Sequence, residues 1–160
     1  VRTRNQADFE KMLFLAERAC ELEPYKVYYL TRYGSLLLNY NVDAERGLEL
    51  IDRSTEVSRY EKNTYMFSAI SRLNLAEKHL GESNYSEAER YLRQIFDFQI
   101  LMAERFGDSS DMNFVVGRAY HLLGEKDKAV SFYRMVGEDD QYYDLAVQYL
   151  KNITEASSRR

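Results

Sequence analysis

Cysteine and histidine are the rarest side chains in this 160-residue sequence with the chemistry of a nucleophile, a general base or a zinc ligand. The sequence contains one cysteine, Cys20, and two histidines, His79 and His121. A structural zinc site needs about four such ligands, and a reactive thiol needs a polar setting that lowers its pKa. Cys20 instead falls on an apolar stripe with helical spacing, and neither histidine has a partner nearby in sequence. We therefore predict a buried thiol at Cys20 and packing or solvent-facing roles for both histidines.

Two acidic clusters, at residues 108–111 and 139–140, could supply oxygen ligands for calcium. Neither cluster has the alternating ligands and central glycine of a calcium loop, and aspartates at these positions suit the first turn of a helix. A glycine-rich phosphate loop is also missing from the sequence. The sequence thus predicts no catalytic residue, no cofactor and no metal, and a protein that is not an enzyme.

Composition and charge exclude other classes of protein. A formal net charge of -4 provides no positive field for a nucleic-acid backbone. The longest near-apolar stretch, residues 95–103, is much shorter than the ~20 residues of a membrane span. We predict a soluble domain that binds no nucleic acid and does not itself cross a membrane. Its location is cytoplasmic by default, although the parent chain could be anchored in a membrane.

Apolar residues recur at helical spacing along almost the whole sequence, and strand-like alternation is absent. Glycine, proline and polar breaks divide this pattern into eight segments. The predicted helices are 7–22, 25–40, 43–58, 61–81, 85–105, 111–123, 126–136 and 139–154. Their connections are short, so successive helices are expected to pack as antiparallel neighbours.

An internal repeat is most complete near the C-terminal end, where Gly117, Tyr120, Gly124, Ala129 and Tyr133 follow one another at intervals of 3, 4, 5 and 4 residues. This pattern resembles the tetratricopeptide repeat (TPR), a pair of helices with small residues where the helices cross. The resemblance implies an all-α, right-handed superhelical α-solenoid of about eight helices arranged in antiparallel pairs.

Aligning the second helices on Ala129 places Ala88, Gly47 and Met12 at equivalent positions, separated by 41, 41 and 35 residues. Among the first helices, Gly34 corresponds to Gly117. The predicted helix-pair repeats are 25–58, 61–105 and 111–136 within a single domain, preceded by an unpaired second helix at 7–22. A capping helix at 139–154 and a loose tail at 155–160 follow, and the chain is expected to be a piece of a longer protein.

The helix predicted at 61–81 has two registers, because either Ala76 or Asn74 can take the small position of the repeat. The 41-residue intervals also exceed the usual ~34 residues, so the helices around 61–105 are predicted to be longer than standard.

The resemblance implies that the first helices line a concave groove that receives a peptide or a partner helix. The candidate groove residues are Tyr28, Thr31, Ser35, Asn39, Ser71, Lys78, Phe114, Arg118 and His121. The other register of the middle repeat would instead contribute Ile70, Leu73 and Glu77. Ser35 and Arg118 stand where the family's carboxylate clamp has asparagine, which disfavours a chaperone-tail receptor.

We therefore predict a non-catalytic protein–protein interaction module. The alternative is a regulatory or substrate-positioning domain of a larger, membrane-bound polysaccharide polymerase or ligase. That alternative depends on residues 21–24, Glu-Leu-Glu-Pro, and the tyrosine-rich helix that follows them, which together resemble repeats of bacterial O-antigen polymerase and ligase proteins.

Three expectations concern burial. Phe9 and Leu13 should be partly exposed because their helix lacks its pair. The helix at 85–105 is apolar nearly all the way round. It should pack against the helix at 61–81 and leave a residual patch for self-association or a partner. Leu145 and Tyr149 should be buried against the helix that carries Ala129.

Overall fold

The computed structural model describes the backbone of residues 4–158 and the side chains of residues 6–155. This part of the chain contains eight α-helices and no β-strand. The helices are α1 (Arg4–Leu22), α2 (Val27–Asn39), α3 (Ala44–Val57), α4 (Lys62–Gly81), α5 (Tyr85–Phe106), α6 (Ser110–Leu122), α7 (Lys126–Tyr133) and α8 (Tyr143–Ser158). The predicted all-α fold is confirmed. Within the described residues, every helix is too short or too polar to cross a lipid bilayer.

The last two helices differ most from the predicted boundaries. α7 ends at Tyr133 rather than at residue 136, and α8 begins at Tyr143 rather than at residue 139. The carboxylate of Asp140 accepts a hydrogen bond from the backbone N–H of Tyr142 (2.9 Å), so a side-chain turn precedes α8. α8 then continues through Ser158, into the segment where a loose tail was expected, and residues 159–160 lie outside the described part.

The chain divides into two compact units, Val1–Ser68 and Ala69–Arg160. In the first unit α2 packs against both α1 and α3. Its apolar core contains Leu30, Leu37 and Leu50 together with Cys20. The thiol is buried, as predicted, and this burial raises its pKa, which disfavours the reactive thiolate.

In the second unit α6 packs against α5 and α7, and α7 packs against α8. Aromatic rings fill these contacts: Tyr120 of α6 stacks between Phe96 of α5 and Phe132 of α7, with centroid distances of 4.4 and 5.5 Å. The part of α4 in this unit contacts α5, since His79 stacks on Tyr91 at 5.6 Å. Both candidate histidines thus lie in packed surroundings, since His121 also contacts the ring of Tyr133.

The turns that follow α2, α4 and α6 share one backbone geometry. Each contains a residue with positive φ: Asn41 (54°), Ser83 (60°) and Gly124 (79°). In each turn the next N–H donates to the carbonyl five residues before it. The bonds are Val42 to Leu37 (2.9 Å), Asn84 to His79 (2.8 Å) and Glu125 to Tyr120 (2.9 Å). This is the Schellman ending of a helix, and it recurs once in each predicted helix pair.

The burial expectations have mixed outcomes. Phe9 and Leu13 of α1 are half-buried, as predicted. On α5, Ile100 (53%) and Leu101 (37%) are exposed. The burial predicted for Leu145 is wrong, because this side chain is 43% exposed. Tyr149 is half-buried and stacks on Tyr133 of α7 at 5.6 Å, and Ala146 and Ile153 of α8 are buried.

Candidate functional site

A cavity of about 400 Å³ lies in the first unit, between α2 and the beginning of α4. Three of the predicted groove residues line it: Tyr28, Thr31 and Ser35. Asn39, at the end of α2, is exposed and lies outside the cavity lining.

Helical spacing explains how these side chains come together. Tyr28, Thr31 and Ser35 are three and four residues apart, so they share one face of α2. Val27 and Arg32 flank them on the same helix. The opposite wall is formed by the residue before α4 and by its first turns. It consists of Glu61, Asn63, Thr64 and Phe67.

Three hydroxyl groups of the lining are already engaged as donors. Thr31 Oγ1 donates to the carbonyl of Val27 (2.9 Å), and Ser35 Oγ donates to the carbonyl of Thr31 (2.8 Å). Thr64 Oγ1 likewise donates to the carbonyl of Glu61 (2.8 Å). A hydroxyl has a single hydrogen but two acceptor lone pairs. In this arrangement the remaining hydrogen-bonding capacity of the three oxygens is that of acceptors, with Thr31 and Ser35 half-buried and Thr64 only 4% exposed.

The cavity also carries one cation and one anion. Arg32 is exposed, and among the described residues it has no hydrogen-bond or ion-pair partner. Glu61 directly precedes the first residue of α4, where the positive end of the helix dipole favours a carboxylate.

Sequence reasoning missed Arg32 and the entire α4 wall. Arg32 could have been found, because it follows Tyr28 by four residues and so lies near the same helical face. Glu61, Asn63, Thr64 and Phe67 come into the site through the packing of the first unit, which the sequence pattern does not specify.

The candidate residues of the second unit are engaged within the protein. Phe114 is buried and stacks on Tyr142 with a centroid distance of 4.5 Å, which differs from the open groove position expected for it. Arg118 Nε donates to Glu77 Oε1 of α4 (2.8 Å), and its guanidinium lies 4.7 Å from the ring centroid of Tyr149. These contacts leave Phe114 and Arg118 less accessible to a ligand than the residues of the cavity.

His121 also lies among these aromatic rings. Its Nδ1 is 3.4 Å from the hydroxyl of Tyr133, and its ring contacts Tyr149 edge-on at 5.7 Å. Burial, and then the charges of Arg118 and Lys126, lower the pKa of His121. Burial also raises the pKa of Tyr133 strongly. Both side chains are therefore held in their neutral forms near neutral pH.

The structure distinguishes the two registers proposed for α4. Ala76 is fully buried, whereas Asn74 is exposed, so Ala76 takes the small position. This corrects the choice of Ser71 and Lys78 as groove residues. Ser71 is buried, and Lys78 pairs with Glu82, the residue after the end of α4, at 3.8 Å. Glu77, from the other register, is the residue that meets Arg118.

The remaining chemical candidates are cysteine, histidine and acidic side chains considered as metal ligands. Within residues 6–155, no three Cys, His, Asp or Glu side chains lie close enough together to hold one metal ion.

A solved structure of MamA, a TPR-like protein, has a similar fold. The match has a TM-score of 0.57 and covers 98% of this chain and 92% of the MamA chain, with 17% sequence identity. No protein-family model matches the chain, and no curated protein matches it. At this identity the likeness concerns the fold alone. The chain has a TPR-like, all-α solenoid fold, as predicted, and the comparison gives no support to a link with O-antigen polymerases or ligases.

Proposed function

We propose that this protein is a non-catalytic interaction module that binds a peptide or a partner helix at the cavity between α2 and α4. The observation that carries the proposal is that Tyr28, Thr31 and Ser35 line this cavity. The TPR-like pattern selected these three positions independently, because the first helices of such repeats usually receive the ligand.

The fold, and the packing of the cysteine and histidine side chains, support this function. TPR-like folds generally serve as protein-interaction scaffolds. Cys20 is buried in the core of the first unit, His79 stacks on Tyr91, and His121 packs against two tyrosines. These contacts give Cys20, His79 and His121 packing roles. The cavity between α2 and α4 is therefore proposed to act by recognising a ligand at its surface.

Filling the cavity is the direct test. The 160-residue protein would be screened against an array of peptides about 12 residues long, as the wild type and as Ser35→Phe. The added ring is expected to occupy the cavity and reduce binding at least tenfold.

Ser131→Phe is the matched control. Ser131 also lies on a helix, donates to the carbonyl four residues before it (3.0 Å) and is exposed, but it belongs to α7. Binding by this variant should equal that of the wild type. If no peptide binds the wild type, or if both variants bind equally well, the cavity is not the recognition site.

We also propose that the exposed Ile100 and Leu101 of α5 contribute to self-association. Sedimentation velocity over a range of protein concentrations would compare the wild type with an Ile100→Ser, Leu101→Ser double variant. A wild type that remains monomeric at the highest concentration would contradict this proposal.

A further inference from the structure

The donors and acceptors around the cavity narrow the class of its ligand. Resting on the proposed function, we infer that the cavity binds an extended peptide segment with a side-chain carboxylate, rather than a partner helix. The carboxylate pairs with Arg32, and backbone N–H groups of the peptide donate to the hydroxyl oxygens of the lining.

The hydroxyl oxygens distinguish an extended segment from a helix. The hydroxyls of Thr31, Ser35 and Thr64 donate to backbone carbonyls, and in this arrangement each oxygen offers further hydrogen bonds as an acceptor. A helix beyond its first turn uses its backbone N–H groups internally and has none to offer. An extended segment keeps these N–H groups free. The acceptor-rich wall of α2 and α4 therefore complements extended backbone.

The charges of the cavity distinguish an acidic ligand from a basic one. Arg32 lies inside α2, away from both helix ends, and has no counter-ion among the described residues. Glu61 adjoins the N-terminus of α4, whose dipole already stabilises a negative charge. The Glu61 carboxylate also has no ion-pair partner among the described residues, but the dipole of α4 favours its charge, whereas Arg32 has no comparable compensation inside α2. A carboxylate on the ligand would pair with Arg32 through charge-assisted hydrogen bonds.

The apolar part of the lining adds a second element of specificity. Val27 and Phe67 contribute apolar surface, and Tyr28 is 64% exposed. Alternate residues of an extended segment point to the same side. An apolar residue two positions from the acidic one is therefore expected to contact this surface.

The experiment uses the tightest-binding sequence from the peptide array as its probe and measures affinity by fluorescence anisotropy with the 160-residue protein. Arg32→Gln should weaken binding about tenfold or more, because hydrogen bonds to charged groups contribute strongly. Arg134→Gln is the matched control, because Arg134 is also an exposed arginine but lies outside the cavity lining, and it should leave the affinity unchanged. Thr31→Val removes one acceptor oxygen without changing the size of the side chain and should also weaken binding.

Changes in the peptide test its carboxylate contact with Arg32 and its backbone hydrogen bonds. Replacing its Asp or Glu by Asn or Gln should weaken binding to the wild type but have little further effect on Arg32→Gln. N-methylation of single backbone amides should abolish binding at one or more positions. Arg32→Glu should shift the preferred peptides from acidic to basic.

The outcomes separate this inference from the proposed function. Peptide binding that Ser35→Phe blocks would support the interaction function. If Arg32→Gln then has no effect, or if the bound peptides are basic, the inference of an acidic ligand is wrong while the interaction function stands. If binding requires a helical peptide and tolerates N-methylation throughout, the extended conformation is wrong. If no peptide binds at this cavity, the proposed function fails together with the inference.

Discussion

Gly34 of α2 and Gly47 of α3 meet where the two helices cross. A Cβ atom built on Gly34 would lie 2.7 Å from the carbonyl oxygen of Gly47, and one built on Gly47 would lie 3.0 Å from the carbonyl oxygen of Gly34. The clash is with backbone, which cannot rotate away as a side chain can. The absence of a side chain at both residues is therefore what permits this close approach of α2 and α3.

Gly34→Ala should destabilise the protein by about 1–3 kcal/mol, because the added methyl group overpacks the helix crossing. Urea denaturation followed by circular dichroism would measure the change. Gly81→Ala is the matched control, since a Cβ at Gly81 meets nothing within 4 Å at the end of α4. It should be neutral or stabilise by ~0.5 kcal/mol, because alanine has the higher helix propensity. Equal destabilisation by both changes would show that the crossing is looser than described.

Ile153→Ala should lower the free energy of unfolding by about 2–4 kcal/mol, because this side chain of α8 is only 5% exposed. Leu145→Ala, on the same helix, removes a side chain that is 43% exposed and should cost less than ~1 kcal/mol. Thermal unfolding of the two variants would rank them. A larger effect from Leu145→Ala would mean that α8 packs through the opposite side of its apolar stripe.

The contrast between these two residues shows what periodicity can predict. Helical spacing identified the apolar stripe of α8 correctly, and Ala146 and Ile153 lie on its buried part. Spacing alone could not tell which edge of the stripe would be covered. That depends on how α8 packs against α7, which is a tertiary contact.

The candidate site was predictable to a similar extent. The repeat pattern placed Tyr28, Thr31 and Ser35 on one helical face, and they line one cavity. It could not supply Thr64 and its neighbours, because residues on α4 reach the cavity only through tertiary packing. In the middle repeat, the sequence allowed either Ala76 or Asn74 at the small position. Burial distinguishes them, because Ala76 is buried and Asn74 is exposed.

Protonation of His121 should destabilise the folded protein in mild acid. Burial and nearby cations hold its folded-state pKa below the value of about 6.5 expected when unfolded. The unfolded chain therefore binds the proton more readily, and the free energy of unfolding should fall as the pH drops through about 6.5. Chemical denaturation between about pH 5.5 and 7.5 would compare the wild type with His121→Gln, which lacks this titration. If the free energy of unfolding has the same pH slope in the two proteins, the prediction is contradicted. His79 is present in both proteins, so it cannot account for a difference between them.

The shared turn geometry leads to a pair of opposite effects at Ser83 and Gly124. Both residues occupy the left-handed position of a Schellman ending, with φ of 60° and 79°. This conformation is unfavourable for a residue with a Cβ by about 1 kcal/mol and is accessible to glycine without that cost. Ser83→Gly should therefore stabilise the protein by about 0.5–1 kcal/mol, and Gly124→Ser should destabilise it by a similar amount. No heavy atom lies within 4 Å of a Cβ built at Gly124, so the second effect reports backbone conformation rather than a clash.

Urea denaturation of both variants would measure the pair of changes. Shifts of the same sign would show that the turns after α4 and α6 are not equivalent.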